Sequence, residues 1–206
     1  MEIVLKYFDD FSETQLQQFA ALKDLYTEWN EKINVISRKD IDNFYEHHVL
    51  HSLAIATQFD FTPGMQIMDL GCGGGFPGVP LAIFFPDVHF HLVDSIQKKL
   101  KVIDAVAAAT NIKNITTQHT RVEDIKDKKF DIVVSRAVAP LKDLWNWSKP
   151  LLKKNNTSTS GLICLKGGDL SKEIAESGCK PLIWELESLY TEAFFKEKYM
   201  LQVPLK

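Results

Sequence analysis

The segment IMDLGCGGGFPGVPLA (67–82) restricts the fold of this chain more than any other stretch. An apolar run ends at Asp69-Leu70, five glycines fall within residues 71–78, and a helical stretch begins near Pro77. So many glycines weaken a purely structural turn, because glycine loses more backbone freedom on folding than any other residue. They do let a ligand approach the main chain, and in open parallel sheets ligands lie outside the carboxyl ends of the strands. The segment therefore predicts a strand–loop–helix unit with a ligand over the loop. The competing reading is a tight turn surrounded by solvated acids.

Further units follow. QIMDL (66–70), HFHLVD (89–94), NITTQHT (114–120), FDIVVSR (130–136) and GLICLKG (161–167) read as strands. Helical stretches are expected near 77–85, 96–109 and 140–153. Such alternation implies an α/β fold, a doubly wound, mostly parallel, Rossmann-like sheet with right-handed crossovers. After Gly178 the pattern suggests a C-terminal antiparallel hairpin, and KKNNTSTSG (153–161) a loop. Ahead of the sheet, Ser12 and Gln15 have capping-box spacing. Leu16, Phe19, Leu22, Tyr26, Trp29 and Ile33 then recur at helical spacing, which predicts a helix over about 13–33. A second helix is expected at about 41–59, after a polar turn. The resulting organisation is an N-terminal helical extension (1–60) packed on a ligand-binding domain (61–206).

With 206 residues and a net charge of −3, the chain can bury a core but does not advertise nucleic-acid binding globally. RNA contact would need a local basic face. Three cysteines without a C-x-x-C pair suggest a reducing compartment, and no apolar run approaches the length of a membrane helix. A cytoplasmic location is expected.

The ligand can be argued from charge. Gly73-x-Gly75-x-x-Gly78 matches a dinucleotide fingerprint, a weak signal by itself. Asp69, two residues before the first glycine, would repel a pyrophosphate. It suits the ammonium of S-adenosylmethionine. Asp94 ends the next strand, where a carboxylate accepts from ribose hydroxyls, and Glu123-Asp124 follows the third strand, near an adenine edge. The residues therefore favour S-adenosylmethionine over a nicotinamide cofactor.

The acceptor is narrowed by chemistry. Methylating carbon five of a pyrimidine needs a cysteine nucleophile, and Cys72 (in the loop) and Cys164 (in a strand) are poorly placed for it. The segment Ser135-Arg136-Ala137-Val138-Ala139-Pro140 departs from the Asn/Asp-Pro-Pro-aromatic loop of amine methylation. His47, His48 and His51 lack partners at metal-ligand spacing, so no metal is expected. A ring nitrogen such as guanine N7 remains the plainest acceptor, since it needs placement and no base.

WNEKINVIS, EHHVLHSL, DLGCGGGFPGVPLAI, LVDSIQKKLKVI, TRVEDI, FDIVVSRAVAPL and CLKGG together resemble the RsmG (GidB) family, bacterial 16S ribosomal RNA guanine-N7 methyltransferases acting in the 530 loop. The resemblance spans about Trp29 to Gly168. It implies a class I S-adenosylmethionine-dependent methyltransferase fold and 16S ribosomal RNA or an assembling 30S subunit as partner. It implies cofactor contacts at Gly71, Phe76, Val122, Glu123 and Arg136, with Asp94 as the acid after the second strand. Asp69 and Gly73 join that set on the charge and glycine arguments above. Arg136 is the candidate catalytic residue. Asn34, His48 and Lys166 match polar family positions that would face RNA. His51 stands where the family commonly has aspartate. From the residues alone, Arg136 could pair with the methionine carboxylate, an RNA phosphate or a structural acid, in that order. Two further functions stay open: ribose 2′-O methylation, which Lys166 would suit, and non-catalytic binding of S-adenosylmethionine or a nucleotide.

Overall fold

The computed structural model describes residues 1–37, 39–136, 138–154 and 160–205. Ala137 of the strand-four motif and most of the expected 153–161 loop lie outside the described residues. Seven strands form one sheet: β1 (Gln66–Leu70), β2 (His89–Asp94), β3 (Ile115–His119), β4 (Ile132–Arg136), β5 (Gly161–Gly167), β6 (Leu182–Glu185) and β7 (Lys198–Pro204), in the order β3-β2-β1-β4-β5-β7-β6. The first five are parallel, and β7 runs antiparallel between β5 and β6. The order reverses beside β1, which puts the glycine loop at the topological switch point.

Side-chain alternation builds two cores. Ile67, Phe90, Leu92, Ile132, Val134, Ile163 and Leu165 face one layer, and Met68, Leu70, Val93, Val133, Leu162 and Cys164 the other. The first layer holds α1 (Glu2–Leu5), α2 (Glu13–Lys32), α3 (His51–Leu53), α4 (Gly78–Phe84) and α5 (Gln97–Ala109). The second holds α6 (Leu141–Ser148) and α7 (Ser171–Ser177). Burial on both faces explains why the central strands read as near-continuous apolar runs.

The capping box at α2 is present: Gln15 N–H donates to Ser12 Oγ, and Ser12 N–H to Gln15 Oε1. Phe19, Leu22 and Tyr26 of this helix are fully buried. One expectation needs correction, and two helices are additional to those expected. The second helix does not run over 41–59. It begins as a π-helical turn (Tyr45–Leu50), passes through α3 and ends as a 3₁₀ turn (Ala54–Thr57). The apolar residues expected on it, Phe44, Leu50, Leu53 and Ile55, are nonetheless all buried. The chain also has an unexpected N-terminal helix, α1. Its sequence is too short for any periodicity to register. Finally, α7 intervenes before β6 and ends at Gly178 in the left-handed conformation (φ 66°). It has no fully buried residue, so it carries no apolar stripe for a sequence reading to detect. No helix among the described residues is long and apolar enough to cross a membrane.

Candidate cofactor and acceptor site

The carboxyl ends of β1, β2 and β4 converge on the glycine loop, and main-chain hydrogen bonds fix its path. Cys72 N–H donates to Val93 O (3.0 Å), Gly75 N–H to Cys72 O (2.7 Å) and Phe76 N–H to the same carbonyl (3.1 Å). Geometry requires glycine at several of these positions, Gly71 and Gly78 among them. Gly71 has φ +67°, and a Cβ there would come within 2.9 Å of Val138 Cγ1. At Gly78 a Cβ would lie 2.7 Å from Asp69 Oδ2, in the space this carboxylate uses to accept the Gly78 N–H at 2.8 Å.

Both strand-end acids brace the loop from within. Asp69 is fully buried, and among the described residues its Oδ1 has no hydrogen-bond partner. Burial raises its pKa to about 7, against the Gly78 hydrogen bond and the nearby Arg136 charge, which lower it. Asp69 was expected to meet the cofactor ammonium; in this conformation its side chain lies sealed beneath the loop. Asp94 is 8% exposed and divides its carboxylate between Gly73 N–H (Oδ2, 2.9 Å) and Ile96 N–H (Oδ1, 2.8 Å). It thus ties the β1 and β2 loops together, and each oxygen keeps a lone pair for a further donor. Gly73 sits in the left-handed region at φ +55°. Val122 is buried and Glu123 exposed, on a 3₁₀ turn (Val122–Asp124) just after β3.

Arg136, the last residue of β4, is half-buried with its guanidinium carbon 5.1 Å from the Phe76 ring centre. Nη1 donates to the His47 carbonyl (3.2 Å) and Nη2 contacts His48 Nδ1 (3.0 Å). Among the described residues no carboxylate lies within ion-pair distance of it. Burial pulls its pKa down to about 10, opposed chiefly by the negative charge of Asp69. A guanidinium only donates, so His48 Nδ1 must accept and the imidazole proton sits on Nε2. That Nε2 is buried without a partner among the described residues. Burial and then the Arg136 charge hold the His48 pKa down to about 3.

Other expected residues divide. Phe76 is 4% exposed, packed among Tyr26 (5.0 Å), His48 (5.1 Å) and Phe44 (5.9 Å), so it stiffens the loop from behind. Asn34 is exposed, and its neighbour Val35 lies against Gly74, where a Cβ would be 2.9 Å from Val35 Cβ. Lys166, expected to reach RNA, is instead 8% exposed and ion-paired to Glu173 Oε1 at 2.7 Å. It also donates to Ala139 O, while the same Glu173 oxygen accepts Leu141 N–H at 2.8 Å. A lysine so enclosed braces α6 and α7 and cannot release its ammonium to a phosphate without breaking that network. His51 is buried against Phe194 and Phe195, with its pKa driven well below 6.5 by burial and then by Arg136. It therefore supplies no counter-charge where the resembling family has aspartate.

Three residues important to the site were not legible as such. Tyr26, read only as helix core, donates from its hydroxyl to Gly74 O at 2.6 Å. Ser135 Oγ donates to Leu70 O at 2.8 Å, joining β4 to the end of β1. Val138, 45% exposed, lies over Gly71. The available signal was Tyr26's hydroxyl on an otherwise apolar stripe.

The family model for rRNA small subunit methyltransferase G matches residues 15–200. The ribosomal RNA small subunit methyltransferase G of Phocaeicola vulgatus is 56% identical over 207 residues, covering 100% of this chain and 99% of that one. The protein of the same name in Bacteroides thetaiotaomicron is 56% identical over 200 residues, covering 96% and 97%. Among solved structures, the ribosomal protein L11 methylase from Lactobacillus delbrueckii subsp. bulgaricus aligns with TM-score 0.56 at 20% identity, over 76% of this chain and 77% of that one. A SAM dependent methyltransferase from Aquifex aeolicus aligns with TM-score 0.56 at 12% identity, over 82% and 98%. These two likenesses concern the fold, which is the class I, Rossmann-like methyltransferase architecture.

Proposed function

The chain belongs to the rRNA small subunit methyltransferase G family, and from that premise we propose that it transfers a methyl group from S-adenosylmethionine to guanine N7 in the 530 loop of 16S ribosomal RNA. The observation that carries this reading is the unpaired, half-buried guanidinium of Arg136 beside the glycine loop. A desolvated cation with unused donors favours an anion, and the cofactor's carboxylate matches its planar fork. The second lone pairs of Asp94 are acceptors of the kind ribose hydroxyls require, whereas Asp69 stays beneath the loop and braces Gly78. The residues present thus fit the cofactor, with Gly71, Gly73, Val122 and Glu123 offering main chain around it.

When bound, the cofactor supplies an electrophilic methyl on its sulfonium. The chain's own contribution is placement. Arg136 and Asp94 anchor, the Phe76 cluster keeps the loop rigid, and exposed Asn34 is left to face RNA, while His48, expected to do so, has Nδ1 taken by Arg136 and Nε2 buried. Attack by N7 releases no proton, and the nearest imidazole suits such a reaction: His48 stays neutral, with its one acceptor nitrogen taken by Arg136. Covalent pyrimidine activation is disfavoured, because burial raises both loop and strand thiols, Cys164 to about 12. Ribose 2′-O methylation loses its main support, since Lys166 is committed to Glu173.

Transfer is tested by primer extension on small-subunit RNA after borohydride and aniline treatment, which cuts at N7-methylguanosine. One stop in the 530 loop, dependent on enzyme and cofactor, is expected. Arg136→Ala should lower transfer on the order of 100-fold, the scale of lost positioning, with an unchanged circular dichroism spectrum. A stop insensitive to reduction and aniline would move the reaction to the ribose.

A further inference from the structure

A cavity of about 370 Å³ lies between the turn after β3 and the carboxyl end of α6. Trp147 and Asn146 line it from α6, Lys126 and Lys129 from the loop before β4, and Val122 and Glu123 from the 3₁₀ turn. Only those last two belong to the candidate cofactor site. Lys126 Nζ donates to Glu123 O at 3.0 Å and Lys129 Nζ to Pro150 O. Both acceptors are neutral carbonyls, so neither positive charge is cancelled. Among the described residues no acidic side chain lies within ion-pair distance of either lysine. Lys128, between them, donates to His91 and Gln118. All three lysines are exposed, and among the described residues the acids interspersed with them in the sequence, Glu123, Asp124 and Asp127, make no ion pair with their ammonium groups. Trp147 is half-buried, so its ring is held by the core while part stays open, and Asn146 is exposed.

An indole, an amide and two lysines around one hollow are the elements that receive a nucleotide: a face for stacking, a donor–acceptor pair for the base edge and cations for phosphate. We infer that this cavity binds a single-stranded nucleotide of the RNA, away from the methylated guanine, with its base on Trp147 and its phosphates at Lys126 and Lys129. The inference rests on the RNA reading above and names a second point of attachment for that substrate. Two anchors on either side of Val122–Glu123 would orient the strand, and loss of one should weaken RNA binding without disturbing the cofactor.

The test compares KM for 16S ribosomal RNA across salt concentrations in wild type, the Lys126→Gln/Lys129→Gln double variant, Trp147→Ala and Trp147→Phe. S-adenosylmethionine affinity is measured by calorimetry, and retention of a labelled 530-loop fragment by filter binding. Losing two phosphate contacts on a single strand should lower the slope of log KM against log salt by about 1.4. KM should rise about tenfold in the lysine variant and in Trp147→Ala, and stay near wild type in Trp147→Phe. Cofactor affinity should be unmoved. Wild-type KM and salt slope in the lysine variant would overturn the inference. So would a loss of cofactor affinity, which would assign the cavity to the cofactor. A wild type that binds the fragment but transfers no methyl would sink the assigned reaction alone; reduced fragment binding in the variants would still support the cavity.

Discussion

The carboxyl of Asp69 is fully buried, accepts one N–H and leaves Oδ1 unpartnered, so its ionisation opposes folding. Its folded pKa is raised to about 7 from an ordinary 3.8. Between these values the folded state holds a proton that the unfolded chain has released. Stability from this group is therefore full below about pH 4 and is lost as pH rises through 7. Each pKa unit is worth about 1.4 kcal/mol, so the total is at most about 4 kcal/mol. Urea denaturation of wild type and Asp69→Asn at pH 5 and pH 8, without cofactor, should show the wild type losing ground to the variant at the higher pH. Parallel profiles would mean that Asp69 ionises freely in the folded protein. Its identity as a strand-end acid was readable from DLGCGGG, and so was the glycine loop. Its depth was not: alternation along β1 assigns Asp69 a face but cannot say that α4 closes over it. Lys166 failed for the same reason, because its partner Glu173 sits on a helix with no periodicity to reveal it.

At the scale of elements, α2 meets the glycine loop through Tyr26, whose ring packs on Phe76 and whose hydroxyl donates to Gly74 O. Tyr26 is fully buried, so Tyr26→Phe leaves that carbonyl without its donor, at a cost of about 1–2 kcal/mol. Its Tm should fall by several degrees, and S-adenosylmethionine affinity should fall with it, because the glycine loop loses a fixed point. Unchanged affinity in a destabilised variant would make α2 a purely structural cover. The elements of the sheet were largely legible: β1, β2 and β5 coincide with their expected spans, since buried parallel strands carry an unmistakable apolar run. The edge strand β3 came out shorter than 114–120, as its half-exposed sequence gives weaker limits. The segment after residue 40 was legible as helical but not as π-helical. The wide turn that presents the His47 carbonyl and His48 to Arg136 arises from tertiary contacts that local spacing does not encode.

Across the whole molecule, the division near residue 60 is, we propose, one of connectivity and not of folding. Phe19, Leu22, Tyr26, Phe44 and Leu50 from the N-terminal side share one core with Ile67, Leu92 and Ile103. The N-terminal segment also reaches the far end of the chain. Lys6 pairs with Glu192 at 2.6 Å, Tyr7 Oη donates to Glu192 at 2.7 Å and accepts Thr191 N–H at 2.9 Å. The exposed ion pair adds little by itself, so the shared core decides the outcome. Truncating one large core side chain costs about 2–5 kcal/mol, and an entire domain is stable by only about 5–15 kcal/mol. Deleting residues 1–33 removes Val4, Phe19, Leu22 and Tyr26 together, enough to exhaust that margin. The full chain should therefore unfold in one transition, with circular dichroism and tryptophan fluorescence coincident. The chain from residue 34 onward should show no cooperative melt and no methyl transfer. A shortened chain that melts within a few degrees of the full one, or a full chain with two separated transitions, would establish the N-terminal helices as an independent unit.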